Sequence, residues 1–197
     1  MQGYKSSLTT TPDPSMPGQP IIATKRLILR PFVEADAPWV QVHAGAREIA
    51  RMTQNIPHPY EPGMAEHWIA THRPGWEQGV LLASAIARRD DGELVGAVGL
   101  TIAPEDERAE LGYWIAVPWW GNGYATEAAA ALVGYGFEQL RLHRIMARHF
   151  GSNPASGRVM QKIGMVREGL LREHFVKWGE REDIVVYGVL ARDRGPR

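Results

Sequence analysis

The sequence predicts an α+β fold in which a mixed, mostly antiparallel sheet of six or seven strands is flanked by about four helices. From Val80 onward, apolar residues recur with period two in three consecutive runs joined by short turns, which predicts an antiparallel meander. Directly after the third run come two glycines and an alanine-rich stretch. In that stretch Ala125, Ala128, Ala129 and Leu132 share one face of a helix. Further strand and helix patterns follow without an internal repeat.

The length and composition fit one globular domain. The chain has 197 residues, of which 44% are hydrophobic and 22% are charged, so it can bury a core without disulfides or metals. Residues 1–20 are rich in Thr, Ser, Pro and Gly and lack the apolar core of a signal peptide. We therefore expect a flexible tail over residues 1–20 and a domain over residues 21–197.

Charge and cysteine usage exclude several classes of function. Lys plus Arg equals Asp plus Glu at 22 each, so no overall positive charge favours nucleic acid or an anionic membrane as a partner. The chain has no cysteine, which excludes thiolate metal sites and cysteine nucleophiles and fits a reducing cytoplasm. No apolar run approaches the roughly 20 residues of a membrane helix. We expect a cytoplasmic protein.

The first half of the chain combines two helices with the meander. A strand over residues 24–30 should end at Pro31, and acidic residues and a proline over residues 34–38 begin a helix. A second helix should start near Pro62 and end before Pro74. The three meander strands are expected over residues 80–87, 93–100 and 109–117.

The last third of the chain alternates strands with one short helix. Residues 143–150 form a strand pattern, and Asn153 with Pro154 is typical of a helix start. Gly164 ends that helix. The last two strand candidates are residues 166–175 and 184–190, with a turn at residues 178–180.

The turn after the meander is suited to an anion. Gly121 and Gly123 allow a tight turn, and the first turn of the following helix leaves its N–H groups without carbonyl partners. These donors and the helix dipole together suit a phosphate or pyrophosphate. An ordinary strand-to-helix turn is the alternative interpretation.

Five segments in a fixed order resemble the GNAT superfamily of acetyl-CoA-dependent N-acetyltransferases, and in particular its branch that acetylates ribosomal-protein N-termini. Gly179, Asp183 and Tyr187 also lie where that branch has them. Two positions depart from the pattern, since Trp120 stands where the family often has Arg or Gln, and Met165 where the branch has Phe. The matching segments are RLILRP at 26–31, ELGYWI at 110–115, GNGYATEA at 121–128, NPAS at 153–156 and KIGM at 162–165.

The resemblance implies a three-layer fold whose sheet is splayed to admit the pantetheine arm of acetyl-CoA, the co-substrate. Because Trp120 offers no cation, the pyrophosphate should be held by main-chain N–H groups. The implied cofactor-binding residues are Ile115, Val117, Gly121, Asn122, Gly123, Tyr124, Ala125, Thr126 and Asn153.

Three residues are candidates for catalysis. Glu110 shares a strand face with Gly112 and Trp114 and is the first candidate for a general base, with a solvated strand residue as the alternative. Glu173 is the second candidate. The resemblance implies that Ser156 donates to the departing thiolate, whereas helix capping is the competing explanation.

The other possible chemistries have weaker support. The seven histidines show no metal-ligand spacing, no Gly-x-Ser-x-Gly elbow is present, and the glycine turn follows a meander rather than opening a dinucleotide-binding βαβ unit. We expect transfer of an acetyl group to a primary amine, with a protein N-terminal α-amine favoured. A small-molecule amine (metabolite or antibiotic), a non-catalytic acyl-CoA-binding module and a homodimer stay open.

Overall fold

The computed structural model describes residues 18–194, and one sheet organises them. Its strands lie in the order β1-β2-β3-β4-β5-β6-β8-β7, with β5 and β6 parallel and all other neighbours antiparallel. The predicted α+β class with a mixed, mostly antiparallel sheet is confirmed. The strands are β1 (Ile22–Ala23), β2 (Leu27–Arg30), β3 (Leu81–Arg88), β4 (Leu94–Ala103), β5 (Arg108–Ile115), β6 (Arg144–Phe150), β7 (Val166–Lys177) and β8 (Glu180–Leu190).

The described residues contain eight strands instead of the predicted six or seven, because the two-residue strand β1 lies before the first predicted strand, which was expected to begin at residue 24. Thr24 N and Oγ1 both donate to Leu27 O, at 2.8 and 3.1 Å. This turn joins β1 to β2, so the predicted strand is shortened to residues 27–30. The three meander strands are confirmed as β3, β4 and β5.

Within residues 18–194, six α-helices cover the two faces of the sheet. Four lie on one face, where α1 packs against α3 and α4 packs against β3, and two lie on the other, where α5 packs on β4 and β5. The described part of the chain therefore has three layers. The helices are α1 (Ala37–Ala44), α2 (Arg47–Met52), α3 (Met64–Ala70), α4 (His72–Glu77), α5 (Tyr124–Glu138) and α6 (Pro154–Lys162).

Each face of the sheet has its own core. Leu82, Leu100 and Leu111 of the sheet pack with Leu132 of α5. On the opposite face Ala85, Ala97 and Trp114 pack with Val40 of α1. Leu111 and Trp114 thus lie on opposite faces of β5, as the alternation of strand side chains predicts.

The second predicted helix is α3, which ends at Ala70, before Pro74 as expected. The sequence missed α4, which starts after a break at Thr71 and runs to Glu77, with Pro74 in its first turn. The missing N–H of proline costs no hydrogen bond in a first turn. The proline therefore lies after the end of one helix and at the start of the next.

The predicted tail falls mostly outside the described residues, because residues 1–17 are not among them. The end of the predicted tail contacts the sheet. Gln19 Nε2 donates to Ala83 O of β3 at 2.6 Å.

Candidate active site

The glycine turn lies between β5 and α5 and has two left-handed glycines. Gly121 has a φ of 81°, and Gly123, the N-cap of α5, has a φ of 78°. Both values lie in a region that L side chains rarely adopt. A Cβ on Gly121 would meet no atom within 4 Å, and the residue lines an open cavity. The turn therefore has open space beside it just before the start of a 15-residue helix, whose first N–H groups have no helical carbonyl partners.

A cluster of hydrogen bonds from the β1–β2 turn braces the glycine turn from behind. Glu127, in the first turns of α5, accepts from Thr24 Oγ1 at 2.7 Å, from Arg26 N at 2.8 Å and from Arg26 Nε at 2.7 Å. Arg26 Nη1 also donates to Asn122 O at 3.0 Å. Although burial alone would raise it, these hydrogen bonds lower the pKa of Glu127. We call Thr24, Arg26 and Glu127 the clip.

The side chains of the turn bond back to the protein itself. Trp120 Nε1 donates to Ile115 O at 2.6 Å, and Asn122 Nδ2 donates to Trp119 O at 3.1 Å and to Trp120 O at 3.3 Å. The indole and amide donors are therefore used in shaping the turn. Neither Trp120 nor Asn122 therefore has a side-chain donor left for a ligand in the cavity.

A gap between β5 and β6 connects the two faces of the sheet. The parallel pairing runs only from Arg108 opposite Arg144 to Leu111 opposite Ala147, although both strands continue. Gly112 lies where pairing stops, and a Cβ there would meet no atom within 4 Å. A cavity of about 930 Å³ passes through this region, and its lining comes from both faces of the sheet.

On the α5 and α6 face, two hydroxyl groups meet beside the gap. Tyr113 OH lies 2.8 Å from Ser156 Oγ and donates to Ser156 O at 3.0 Å. Burial raises the pKa of Tyr113 to about 12, so the phenol is protonated at neutral pH. Asn153 caps α6 by accepting from Ser156 N at 3.2 Å. The hydroxyl of Ser156 is thus separate from the capping interaction.

On the α1–α4 face, Glu110 forms a bidentate ion pair with Arg148. Arg148 Nε and Nη2 each donate to one carboxylate oxygen at 2.8 Å, the geometry of a strong guanidinium–carboxylate pair. Both residues line the cavity, and Glu110 is the only Asp or Glu among the described residues that do so. The expected carboxylate is therefore present and paired.

The cavity wall on this face is aromatic and aliphatic, over a floor of small sheet residues. Ala83, Ala97, Gly99 and Gly112 contribute the floor, which leaves room between the sheet and the helices. The larger side chains of the wall are Val40, Ile49, Met52, Tyr60, Met64, Trp68 and Trp114.

His72 is a buried polar residue in this wall. It is 3% exposed, and its ring lies 4.4 Å from that of Trp68 and 5.3 Å from that of Phe32. Neither ring nitrogen has a hydrogen-bond partner among the described residues. Burial lowers the pKa of His72 to about 4, so the imidazole is neutral at pH 7.

The residues expected from the sequence separate into three groups. Ser156 and Glu110 line the cavity from opposite faces of the sheet. Asn122 and Val117 do not line it, because Asn122 bonds back to the turn and Val117 packs against the core of the α1–α4 face. Seven of the nine implied cofactor-binding residues do line it: Ile115, Gly121, Gly123, Tyr124, Ala125, Thr126 and Asn153.

Glu173 lies away from the cavity lining. Its side chain is 64% exposed and forms an ion pair with Arg181 at 3.2 Å. The register of the β7–β8 ladder shifts around it, and its φ is 48°. The expectation rested on a strand position beside the cofactor channel, whereas Glu173 lies at an irregular part of β7 outside the cavity lining.

Sequence reasoning missed Tyr113, Arg148 and Arg26 as functional residues. Tyr113 and Arg26 lie inside segments that carry the family resemblance, and Arg148 lies on the strand next to Glu110, so the position of each was a usable signal. Their partners are 38 to 101 residues away in the sequence.

Two further properties concern residues 18–194. No group of three or more His, Cys, Asp or Glu residues there could hold a metal ion. No helix in the same range is long and apolar enough to cross a membrane.

Comparison with known proteins gives three findings. Residues 26–166 match the family described as acetyltransferase (GNAT) domain. The chain is 34% identical over 172 residues to YoaA of Bacillus subtilis, an uncharacterized N-acetyltransferase, covering 87% of this chain and 97% of that protein. It is 25% identical over 190 residues to the ribosomal protein uS5-alanine N-acetyltransferase of Escherichia coli, covering 89% and 93%.

Solved structures show the same fold. RimJ of Mycobacterium smegmatis, in complex with a CoA-disulfide, superimposes with a TM-score of 0.76 at 24% identity, covering 86% of this chain and 84% of that one.

Proposed function

Because the chain belongs to the GNAT family of acetyltransferases, we propose that it transfers the acetyl group of acetyl-CoA directly to a primary amine, and we favour a protein N-terminal α-amine as the acceptor. The observation that carries this proposal is the single cavity that crosses the sheet. It joins the glycine turn on one side to a paired carboxylate and an apolar wall on the other.

The residues around the gap fit a CoA thioester. The main-chain N–H groups at the start of α5 would bind the pyrophosphate, since they are free donors at the positive end of a helix dipole. The absence of a Cβ at Gly121 and at Gly112 leaves room for a ligand along this path. The M. smegmatis neighbour holds a CoA-disulfide in the same fold, which supports this assignment.

Acetyl-CoA supplies an activated acetyl group as a thioester. The reaction joins the amine nitrogen to the acetyl carbonyl carbon and breaks the bond from that carbon to sulfur. The products are an N-acetyl amide and free CoA, and one proton moves from nitrogen to sulfur. The protein must therefore present a neutral amine and provide a proton donor for the departing thiolate.

The Tyr113–Ser156 pair is suited to the second task. Each hydroxyl can donate to sulfur while it is itself supported by the other at 2.8 Å. Because burial raises the pKa of Tyr113 to about 12, its hydroxyl serves as a donor and not as a base. We assign the thiolate contact to Ser156 and the support of Ser156 to Tyr113.

The pairing of Glu110 favours an acceptor that needs little help in losing its proton. Arg148 occupies both carboxylate oxygens, and no second carboxylate lines the described part of the cavity. At pH 7 about one α-amine in ten is neutral, compared with about one lysine amine in 2,500, given pKa values near 8 and 10.4. The E. coli relative, which acetylates an alanine of ribosomal protein uS5, supports the same choice.

A small-molecule amine is the second candidate acceptor, and the apolar wall favours it. Aromatic and aliphatic side chains over a floor of Ala and Gly would hold a compact apolar body. In this case the Glu110–Arg148 pair would be the polar end of the site.

The experiment is thiol release from acetyl-CoA with matched peptides. One peptide carries a free N-terminal Ala and no lysine, and a second carries a blocked N-terminus and one lysine. We expect CoA release and one added acetyl group by mass spectrometry with the first peptide only. CoA release with small apolar amines and with neither peptide would favour a small-molecule amine as the acceptor. Binding of acetyl-CoA without CoA release for any of these amines would indicate an acyl-CoA-binding module.

A further inference from the structure

Lys177, the last residue of β7, directs its ammonium group into a buried site behind the acceptor wall. The residue is 9% exposed. Its Nζ donates to Thr53 O at 2.8 Å, to Ile56 O at 3.2 Å and to Gln54 O at 3.5 Å. A lysine ammonium has three N–H donors, and these three acceptors are all carbonyl groups of one short backbone segment, residues 53–56.

That segment belongs to the loop between α2 and α3, residues 53–60, which we call the acceptor loop. Thr53, Gln54, Asn55, Ile56, Pro57 and Tyr60 of this loop line the α1–α4 side of the cavity. Lys177 is not among the lining residues. Its ammonium therefore acts on the cavity only through the carbonyl groups that it holds.

Trp178 provides a second contact between the β7–β8 turn and the same region. Its ring lies 5.9 Å from that of His58, and the guanidinium of Arg47 lies 5.6 Å from its centroid. The Lys177 ammonium lies 5.5 Å from the same ring, within the range of a cation–π contact. The β7–β8 turn thus docks on the acceptor loop through one charged and one aromatic residue.

Holding an ammonium here has an energetic cost, which argues for a role. Burial lowers the pKa of Lys177, because water no longer solvates the charge. The three carbonyl dipoles compensate for that loss only while the loop keeps its observed shape. An apolar residue would fill a buried strand end without this requirement.

We propose that Lys177 is a positioning residue for the acceptor amine, because it fixes the acceptor loop against the β7–β8 turn and so sets the wall of the acceptor cavity. This inference rests on the proposed function. The glycine turn and the clip lie on the other side of the sheet. The acceptor loop can therefore become more mobile without a change in the cofactor site. A displacement of about 1 Å in an element that positions a substrate can lower the reaction rate by about 10²-fold.

The test compares Lys177→Met with Arg167→Met. Methionine keeps the apolar stem of the side chain and removes the charged donors, and Arg167 lies on the same strand with an exposed side chain outside the cavity. We expect Lys177→Met to raise the KM of the acceptor peptide about tenfold with the KM of acetyl-CoA unchanged. Arg167→Met should change neither value. Lys177→Arg, which keeps a charge and several donors, should recover part of the loss.

Hydrogen exchange separates this inference from the proposed function, because it needs no turnover. In Lys177→Met the amides of residues 53–60 should exchange at least about tenfold faster, while those of β3, β4 and β5 keep the wild-type rates. Unchanged exchange in the loop, or an equal rise in both KM values, would overturn the positioning role. If wild-type protein acetylates no amine, the proposed function fails, and the exchange rates still decide whether Lys177 holds the loop.

Discussion

At the residue scale, the account depends on two hydroxyl groups that the fold places 2.8 Å apart. Ser156 lies in the first turn of α6 and Tyr113 lies on β5, and both line the cavity beside the gap between β5 and β6. Since either hydroxyl can donate a proton, we expect each to replace the other in part when one is removed.

The first prediction concerns this pair. Ser156→Ala and Tyr113→Phe should each lower kcat about tenfold, and the double variant should lower it by about 10² or more, within the range for general acid catalysis. Thiol release at saturating acetyl-CoA measures the effect. Ser84→Ala is the matched control, since it removes a fully buried strand hydroxyl that has no partner among the described residues and lies outside the cavity. A double variant with wild-type kcat would contradict the assignment of Ser156 and Tyr113 to the departing thiolate.

The second prediction concerns His72 and stability. Its folded pKa of about 4 lies below the unfolded value of 6.5, so the unfolded chain binds a proton first as the pH falls. Stability from this residue is therefore present above pH 6.5 and is lost as the pH falls toward 4. Between pH 7 and pH 5 the loss should be about 2 kcal/mol.

Urea unfolding of wild-type protein and of His72→Phe at both pH values tests this prediction. Phenylalanine keeps an aromatic ring between Phe32 and Trp68 and does not titrate. The wild-type free energy of unfolding should fall by about 2 kcal/mol more than that of the variant. Equal losses in the two proteins would mean that His72 is protonated in the folded state at pH 5.

The sequence identified individual residues better than it identified their partners. Ser156 and Glu110 could be found because a segment pattern and strand alternation mark them. Tyr113, Arg148 and Arg26 could not be assigned roles, because their contacts join residues 43, 38 and 101 positions apart. Glu173 lies at a register shift of the β7–β8 ladder and outside the cavity lining, a local irregularity that a strand pattern does not reveal.

At the scale of elements, strand β5, the glycine turn and helix α5 form the unit that would hold the cofactor. Sequence alone predicted this unit, since period-two and helical spacing meet at two glycines. The clip that braces it comes from the β1–β2 turn, about 100 residues earlier. One carboxylate, that of Glu127, receives three of the clip's hydrogen bonds.

The third prediction is that the clip sets the shape of the turn. Glu127→Gln removes the charge and one of the acceptors, and a hydrogen bond to a charged group is worth about 1.5–3 kcal/mol. The KM of acetyl-CoA should therefore rise about tenfold or more. S-acetylpantetheine, which lacks the pyrophosphate, should keep its KM in the same variant. Glu105→Gln, at an exposed turn, is the control, and an equal rise for both thioesters would show that the clip has no specific role at the pyrophosphate.

At the scale of the whole molecule, the splayed sheet explains why one chain can hold two substrates. The parallel β5–β6 pair separates after Leu111 and Ala147, and the two faces beyond it differ in chemistry. One face offers main-chain donors and hydroxyl groups, and the other offers a paired carboxylate and an apolar wall. The fold class could be predicted from the strand pattern and the family resemblance. The gap between β5 and β6 could not, because it depends on which strands are neighbours in the sheet, and local sequence patterns do not encode that.

The central claim, that the acetyl donor and an α-amine meet across this gap, is tested most directly by a bisubstrate analogue. In such a compound CoA is joined through its acetyl carbon to the N-terminal nitrogen of an Ala peptide, and calorimetry compares its Kd with those of CoA and of the peptide. If both halves occupy one cavity, the analogue should bind at least about 10² more tightly than CoA, because the second half binds intramolecularly. A Kd equal to that of CoA would contradict the account, since the peptide half would then have no place in the cavity.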